Sequence, residues 1–171
     1  MKILSLLVLL TSFSAFAETP ITDYKEPVLN FYSVKNPYGE FSNFYLFPIT
    51  VDDVIWPTSE HYYQAHKYSE LELQERVRAA KSPMDAAIMG RDPNIPKRPD
   101  WDIYKDIAME IAVRAKFSQN EYLRLLLIST SNSVIHEHTK NDCYWGDCGD
   151  GSGKDKLGIL LMKIRSELLV P

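Results

Sequence analysis

The densest chemistry lies in the run Trp56-Pro57-Thr58-Ser59-Glu60-His61-Tyr62-Tyr63-Gln64-Ala65-His66-Lys67. Pro57-Thr58-Ser59 reads as a helix start, with Thr58 or Ser59 able to cap the free N–H groups. On a helix running to about Tyr68, Glu60, Gln64 and Lys67 fall at i, i+4 and i+7, so an acid, an amide and a cation share one face. Taken alone, such a triplet also describes a solvated ion-pair ladder. Its position argues for more, because Glu60 stands in the first turn, where the helix dipole favours its ionised form. An ionised carboxylate suits stabilising an electron-poor sugar carbon or activating water.

Two further clusters could complete a site. Asn141-Asp142-Cys143-Tyr144-Trp145-Gly146-Asp147-Cys148-Gly149-Asp150-Gly151-Ser152-Gly153 combines small residues that let backbone approach a ligand, a stacking face on Trp145, and three carboxylates. A plain Gly-rich surface loop has the same composition, and the Asp/Gly spacing does not match an EF-hand. Gly90-Arg91, with Lys97, Arg98 and Trp101, could grip a phosphate, Arg by its bidentate fork. Metal readings are weak. His61 and His66 are not on one helical face, and His136-x-His138 with Cys143 fits no standard zinc spacing. No Gly-x-Ser-x-Gly elbow or P-loop occurs, and neither a metal nor a cofactor is expected.

These residues need elements to carry them. Leu29-Asn30-Phe31-Tyr32, Ile49-Thr50-Val51 and Val54-Ile55-Trp56 favour strands, the last two pairing across Asp52-Asp53. Helices are predicted over 70–80, from Pro83 to before Gly90, over 100–117 and over 122–128. In the longest, Tyr104, Ile107, Ala108, Ile111, Ala112 and Ala115 form the apolar stripe, and 122–128 is apolar enough to be buried. Residues 133–138 suit another strand. The chain then closes with a helix whose face is Leu157, Leu160, Leu161, Ile164 and Leu168, capped by Asp155. Helices dominate, the few strands cluster towards the N-terminal part, and no βαβ alternation appears, so the class is α+β in one compact, mostly helical domain.

Residues 1–17 begin with Lys2, continue with an apolar run, and exit through Ala15-Phe16-Ala17. The run is too short to span a bilayer and reads as a signal peptide, followed by a mobile lead-in over 18–28 and the domain over 29–171. An exported, periplasmic or secreted chain is expected, with no membrane attachment after cleavage. Cys143 and Cys148 could then pair. Nineteen basic against twenty-three acidic residues, formally −4, give no electrostatic case for binding duplex nucleic acid. The oligomeric state is not legible from these residues.

Taken together, the clusters resemble the YbiA-like, or NADAR, family. The resemblance rests on Asn30-Phe31-Tyr32-Ser33, Tyr38-Gly39-Glu40-Phe41-Ser42-Asn43-Phe44, Trp56-Pro57-Thr58-Ser59-Glu60-His61-Tyr62, Ser82-Pro83-Met84 and Met89-Gly90-Arg91. It continues through Arg114-Ala115-Lys116-Phe117, Asn141-Asp142-x-Tyr144-Trp145-Gly146-Asp147 and Leu157-Gly158-x-Leu160-Leu161-Met162, co-linear over nearly the whole chain after residue 28. It implies an N-glycosidase acting on phosphoribosylamino-pyrimidine intermediates of riboflavin synthesis. Relatives act on ADP-ribose linked to guanine, and a module that binds NAD or ADP-ribose without turnover is a further alternative. By the same resemblance Glu60 is the first choice for the catalytic carboxylate, Lys67 could trap an opened sugar as a Schiff base, and Asp142 would position water. Trp145, beside Gly146, would stack on the base, Asn43 would contact sugar hydroxyls, and Arg91, Arg98 and Lys116 would hold phosphate. Trp56 and Trp101 are expected to line the same pocket. The chain departs from the family pattern at Lys154-Asp155-Lys156 and in carrying Cys143 and Cys148.

Overall fold

A computed structural model describes residues 26–170; the segment read as a signal peptide, and most of the lead-in, lie outside the described residues. The order of elements is β1 (Val28–Phe31), a short 3-10 turn (Gly39–Phe41), β2 (Ile49–Val51), β3 (Val54–Trp56), α1 (Ser59–Ala65), α2 (Leu71–Arg78), α3 (Pro83–Met89), α4 (Trp101–Gln119), α5 (Glu121–Ser129), β4 (Val134–Glu137) and α6 (Lys156–Leu168). Among the described residues, six helices and two two-stranded sheets make an α+β fold.

The β2–β3 hairpin forms as its sequence predicts. Asp52 and Asp53 both take positive φ, at 50° and 63°, the backbone a tight two-residue connection requires and Asp tolerates. The other sheet pairs the two ends of the domain: β1 runs parallel to β4, Leu29 opposite Ile135 and Phe31 opposite Glu137. Nearly the whole fold is the crossover between them, as parallel pairing demands. The fourth strand forms within residues 133–138, where a late strand is expected, apart from the three near the N-terminal part.

α4 is the central helix, packed against α1, β2, α5 and α6. Its buried residues are Trp101, Ala108, Met109, Ala112, Val113, Ala115, Lys116 and Phe117, so Ala108, Ala112 and Ala115 of the predicted stripe are covered, but the face extends round to Met109, Val113 and Phe117, and Ile107 is half exposed. Helical periodicity finds an apolar stripe, but neighbours on several sides decide which residues are covered. The Phe41 ring lies 5.7 Å from Phe31 and 5.7 Å from Phe117, joining β1, the 3-10 turn and α4. Truncating Phe117, which is fully buried, to Ala should cost about 3–5 kcal/mol. α5 buries Leu123 and Leu127 but exposes Tyr122 and Leu125, so it lies on the core rather than inside it.

Two other readings are corrected locally. α1 stops at Ala65, three residues short of the predicted end; His66 and Lys67 continue as a turn in which the Lys67 N–H donates to the Gln64 carbonyl. Asp155 stands at the N-cap of α6 in left-handed backbone, φ 45°, but its side chain makes no capping hydrogen bond. Its carboxylate faces β4, where Oδ1 accepts from the Glu137 N–H at 3.0 Å and Oδ2 meets His136 Nδ1 at 2.8 Å.

Candidate active site

A cavity of about 680 Å³ opens between the residues after β1, the Ser42-Asn43-Phe44 turn, α1, Arg91, Met109 of α4, the end of β4 and the loop over 138–155. That is room for a nucleotide-sized ligand.

The helical wall carries its reactive residues on one short stretch and ties it to distant turns. Thr58 caps α1, its Oγ1 accepting from the His61 N–H at 3.3 Å. The next two residues then tie the helix to the Asn43 turn: Ser59 Oγ donates to Asn43 Oδ1 at 2.9 Å, and the Glu60 N–H donates to the Asn43 carbonyl at 3.2 Å. Asn43 is held from behind by Met109, whose sulfur accepts its Nδ2 at 3.2 Å. Glu60 Oε1 accepts from Gln64 Nε2 at 2.7 Å. Burial pushes the Glu60 carboxyl pKa up, while Gln64, Lys67 and Arg91 pull it back towards the ionised form.

Lys67 remains on this wall although the helix has ended. Its Nζ donates to the Gly90 carbonyl at 3.1 Å and lies 5.5 Å from the Tyr63 ring centre. Burial, reinforced by the positive charge of Lys97, lowers its pKa to about 8. Gly90 is required here for space: a Cβ would stand 2.1 Å from Gln64 Oε1. The backbone thus passes close to Gln64 and delivers Arg91 to the cavity.

The opposite wall is assembled over long range. β4 places Glu137 at its end, and the loop over 138–155 brings in Asn141, Asp142 and Trp145. Asp142 Oδ1 accepts the N–H groups of Tyr144 and Trp145, both at 2.8 Å, a local turn that aims the indole. Trp145 Nε1 donates to Tyr63 OH at 3.1 Å, linking the two walls. Asp147 knits the loop to β4 by accepting from the Thr139 and Gly149 N–H groups and pairing with His138 Nδ1 at 2.7 Å. The Cys143–Cys148 disulfide closes the segment that carries Tyr144 and Trp145. Burial raises the Glu137 pKa to about 8, and Asp142, Glu60, Asp155 and Asp147 add to the rise.

Of the residues singled out from the sequence, Asn43, Glu60, Lys67, Arg91, Asp142 and Trp145 share this cavity. Five others stand behind it. Trp56 is buried with its ring 5.2 Å from Tyr62, packing β3 on α1. Trp101 packs behind Tyr63, ring centres 5.2 Å apart. Arg98 binds Asp100 at 2.6 Å and stacks on Tyr104; its backbone N–H donates to the Lys67 carbonyl at 2.7 Å, so it holds Lys67 rather than phosphate. Lys116 is 1% exposed and its Nζ donates to the Ser42 carbonyl at 2.7 Å, anchoring the Asn43 turn from inside α4. Burial lowers its pKa to about 7. Gly146 admits close packing of backbone, since a Cβ would lie 2.7 Å from the Glu137 carbonyl.

Glu137, Tyr63 and Met109 were not singled out by sequence. Glu137 had a signal: strand alternation puts it on the same face as Ile135, which is fully buried, so its carboxylate points inward. Among the described residues no three His, Cys, Asp or Glu side chains converge to hold a metal ion.

Comparison with known proteins places this geometry. The NADAR domain family matches residues 30–169. The N-glycosidase YbiA of Escherichia coli is 49% identical over 146 residues, covering 85% of this chain and 91% of that protein. A riboflavin biosynthesis protein of Vibrio vulnificus is 40% identical over 84% of this chain, which corresponds to 39% of that longer protein. The NMR structure of Escherichia coli YbiA superposes with a TM-score of 0.79 at 48% identity, covering 86% of this chain and 88% of that one. A match over most of the chain in sequence and in fold has one reading: the chain belongs to the NADAR family, as a hydrolase of the N-glycosidase type.

Proposed function

We propose that the substrate is a phosphorylated N-ribosyl pyrimidine of the riboflavin-intermediate type, and that the enzyme cleaves its C1′–N bond with water. The observation that carries this reading is the convergence of Glu60, Arg91, Asp142 and Trp145 on one nucleotide-sized cavity. Cleavage leaves C1′ electron-poor, and a carboxylate beside it stabilises that charge. Glu60 suits the task because Gln64 donates to it and Lys67 and Arg91 favour its anion. Asp142 keeps Oδ2 for a water while Oδ1 holds the loop. Trp145 offers a face to the base, and Arg91 reaches the phosphate. The names of the Escherichia coli and Vibrio vulnificus relatives support the bond type and the substrate class. The test is to incubate the purified domain with phosphoribosylamino-pyrimidine, NAD and ADP-ribosylated guanine substrates and identify products by mass spectrometry. Release of ribose phosphate from the first is expected. Binding without any release would replace the enzyme with a binding module.

A second reading is favoured by Lys67, whose buried amine has a pKa lowered to about 8 and is therefore partly neutral near pH 7–8. On an ADP-ribosylated guanine the amine would add to C1′ of the ring-opened C1′=N form, and the guanine amine would leave with the C1′–N electron pair, giving a C1′ imine on Lys67 that water then hydrolyses. Borohydride would fix that adduct on Lys67, detectable by peptide mass; no adduct would remove this reading. The disulfide supports action in an oxidising compartment after export. N-terminal sequencing of the exported protein is expected to begin at Glu18.

A further inference from the structure

β4 ends on a carboxyl group that none of these roles uses. Glu137 lies in the cavity wall, and its backbone is held at both ends: the N–H donates to Asp155 Oδ1 at 3.0 Å and the carbonyl accepts from the Asp147 N–H at 3.0 Å. The side chain is therefore aimed by a rigid strand end, with Gly146 packed against its carbonyl.

The surroundings of Glu137 and Glu60 differ. Glu60 receives a hydrogen bond from Gln64 and has Lys67 and Arg91 nearby. No described residue donates to the Glu137 carboxyl. The charged groups that face it are Glu60 from α1, Asp142 and Asp147 from the 138–155 loop, and Asp155 at the head of α6, all acidic. β1, the strand paired with it, is Val-Leu-Asn-Phe and contributes no charge. His136 and His138 point to the other face and are engaged by Asp155 and Asp147. Burial raises both carboxyls, but Gln64, Lys67 and Arg91 pull Glu60 back towards its anion, whereas Glu137, without a donor and among carboxylates, is pushed further towards its protonated form.

We propose that Glu137 is the general acid of this site, delivering its proton to the nitrogen that leaves the sugar. This assignment rests on the glycosidase reading above. In the step, the Glu137 proton moves to the leaving nitrogen and the C1′–N electron pair goes with that nitrogen. Water forms the new C1′–O bond and gives one proton to Asp142. Glu137 ends ionised and Asp142 protonated, and exchange with solvent resets both.

The test uses two ribose 5-phosphate substrates: the phosphoribosylamino-pyrimidine, whose amine leaves only when protonated, and a 4-nitrophenyl riboside, whose phenolate leaves without help. Glu137→Gln should lower kcat on the first by roughly 10²- to 10⁴-fold and spare the second. Glu60→Gln should lower both. In the wild type, kcat/KM on the amine substrate should fall as pH rises past about 8, the pKa to which burial and its acidic neighbours raise Glu137, and this limb should vanish in Glu137→Gln. Equal loss on both substrates, or loss on neither, overturns the assignment. A wild type inactive on both overturns the glycosidase reading and takes the acid with it. Carbon-13 NMR titration of the Glu137 carboxyl checks the point without turnover: a midpoint near that of an ordinary glutamate would refute the proposal.

Discussion

The two walls of the cavity hold the same kind of group in opposite settings. On the α1 side a glutamate is backed by an amide and a lysine from one helix and its following turn, and by Arg91 brought in from beyond α3. On the β4 side a glutamate and an aspartate stand with further carboxylates behind them and no cation. Carboxyls in such different surroundings let a single pocket both stabilise a developing cation and protonate a leaving group. The walls also differ in how they are built. The first is one helix whose reactive residues are near neighbours, tied to Asn43, Met109 and Gly90; the second rests on a parallel strand pair, two aspartates that bracket β4, and a disulfide.

The comparison is broken most severely at Glu60. Glu60→Gln keeps the shape and the Gln64 contact, and kcat should fall by roughly 10²- to 10⁴-fold with no loss of thermal stability. A variant of full activity would remove the first wall from the chemistry. Arg91→Ala should raise KM by roughly 10- to 100-fold for a phosphorylated substrate, the worth of a charge-assisted hydrogen bond, and much less for its dephosphorylated counterpart.

The second wall is probed through its bracing. Replacing Cys143 and Cys148 with Ser should reduce stability by ~2 kcal/mol, the loop-closure value for so short a segment, as read by urea unfolding, and raise KM by loosening Trp145. Glu137 adds a pH dependence whose sign follows from its folded pKa of about 8 against an ordinary 4.5. Between those values the unfolded chain has released a proton that the folded chain retains, so stability falls as pH rises through that window. The difference in urea midpoint between pH 5 and pH 8 should therefore shrink in Glu137→Gln. The smallest effect belongs to the link between the walls: Tyr63→Phe removes the acceptor for Trp145 Nε1, worth about 0.5–1.5 kcal/mol, and KM should rise several-fold with kcat nearly unchanged.

What was legible in sequence follows the same division. Glu60, Gln64 and Lys67 could be grouped from spacing, because helical periodicity operates over a few residues, and the turn that replaces the last helical residues still keeps Lys67 on the cavity. Asp142 and Trp145 were visible as a composition. Arg98 and Lys116 were assigned to phosphate by family resemblance, and Trp56 and Trp101 were expected in the same pocket, but neither resemblance nor residue type says whether a side chain meets the ligand or the residue behind it. Lys116 shows the cost of that ambiguity: a cation expected on phosphate is buried inside α4, holding a backbone carbonyl.

By itself the sequence determined the elements, the hairpin at Asp52-Asp53, the helix start at Thr58 and the acidic residue placed on it, since each is governed by interactions between near neighbours. Only the tertiary structure decided that β1 pairs with β4 across the whole chain, that the buried face of α4 extends beyond its apolar stripe, and that Glu137 and Asp142 confront Glu60 across one cavity. Those outcomes depend on which distant surfaces exclude water from each other, and no local pattern of residues encodes that choice.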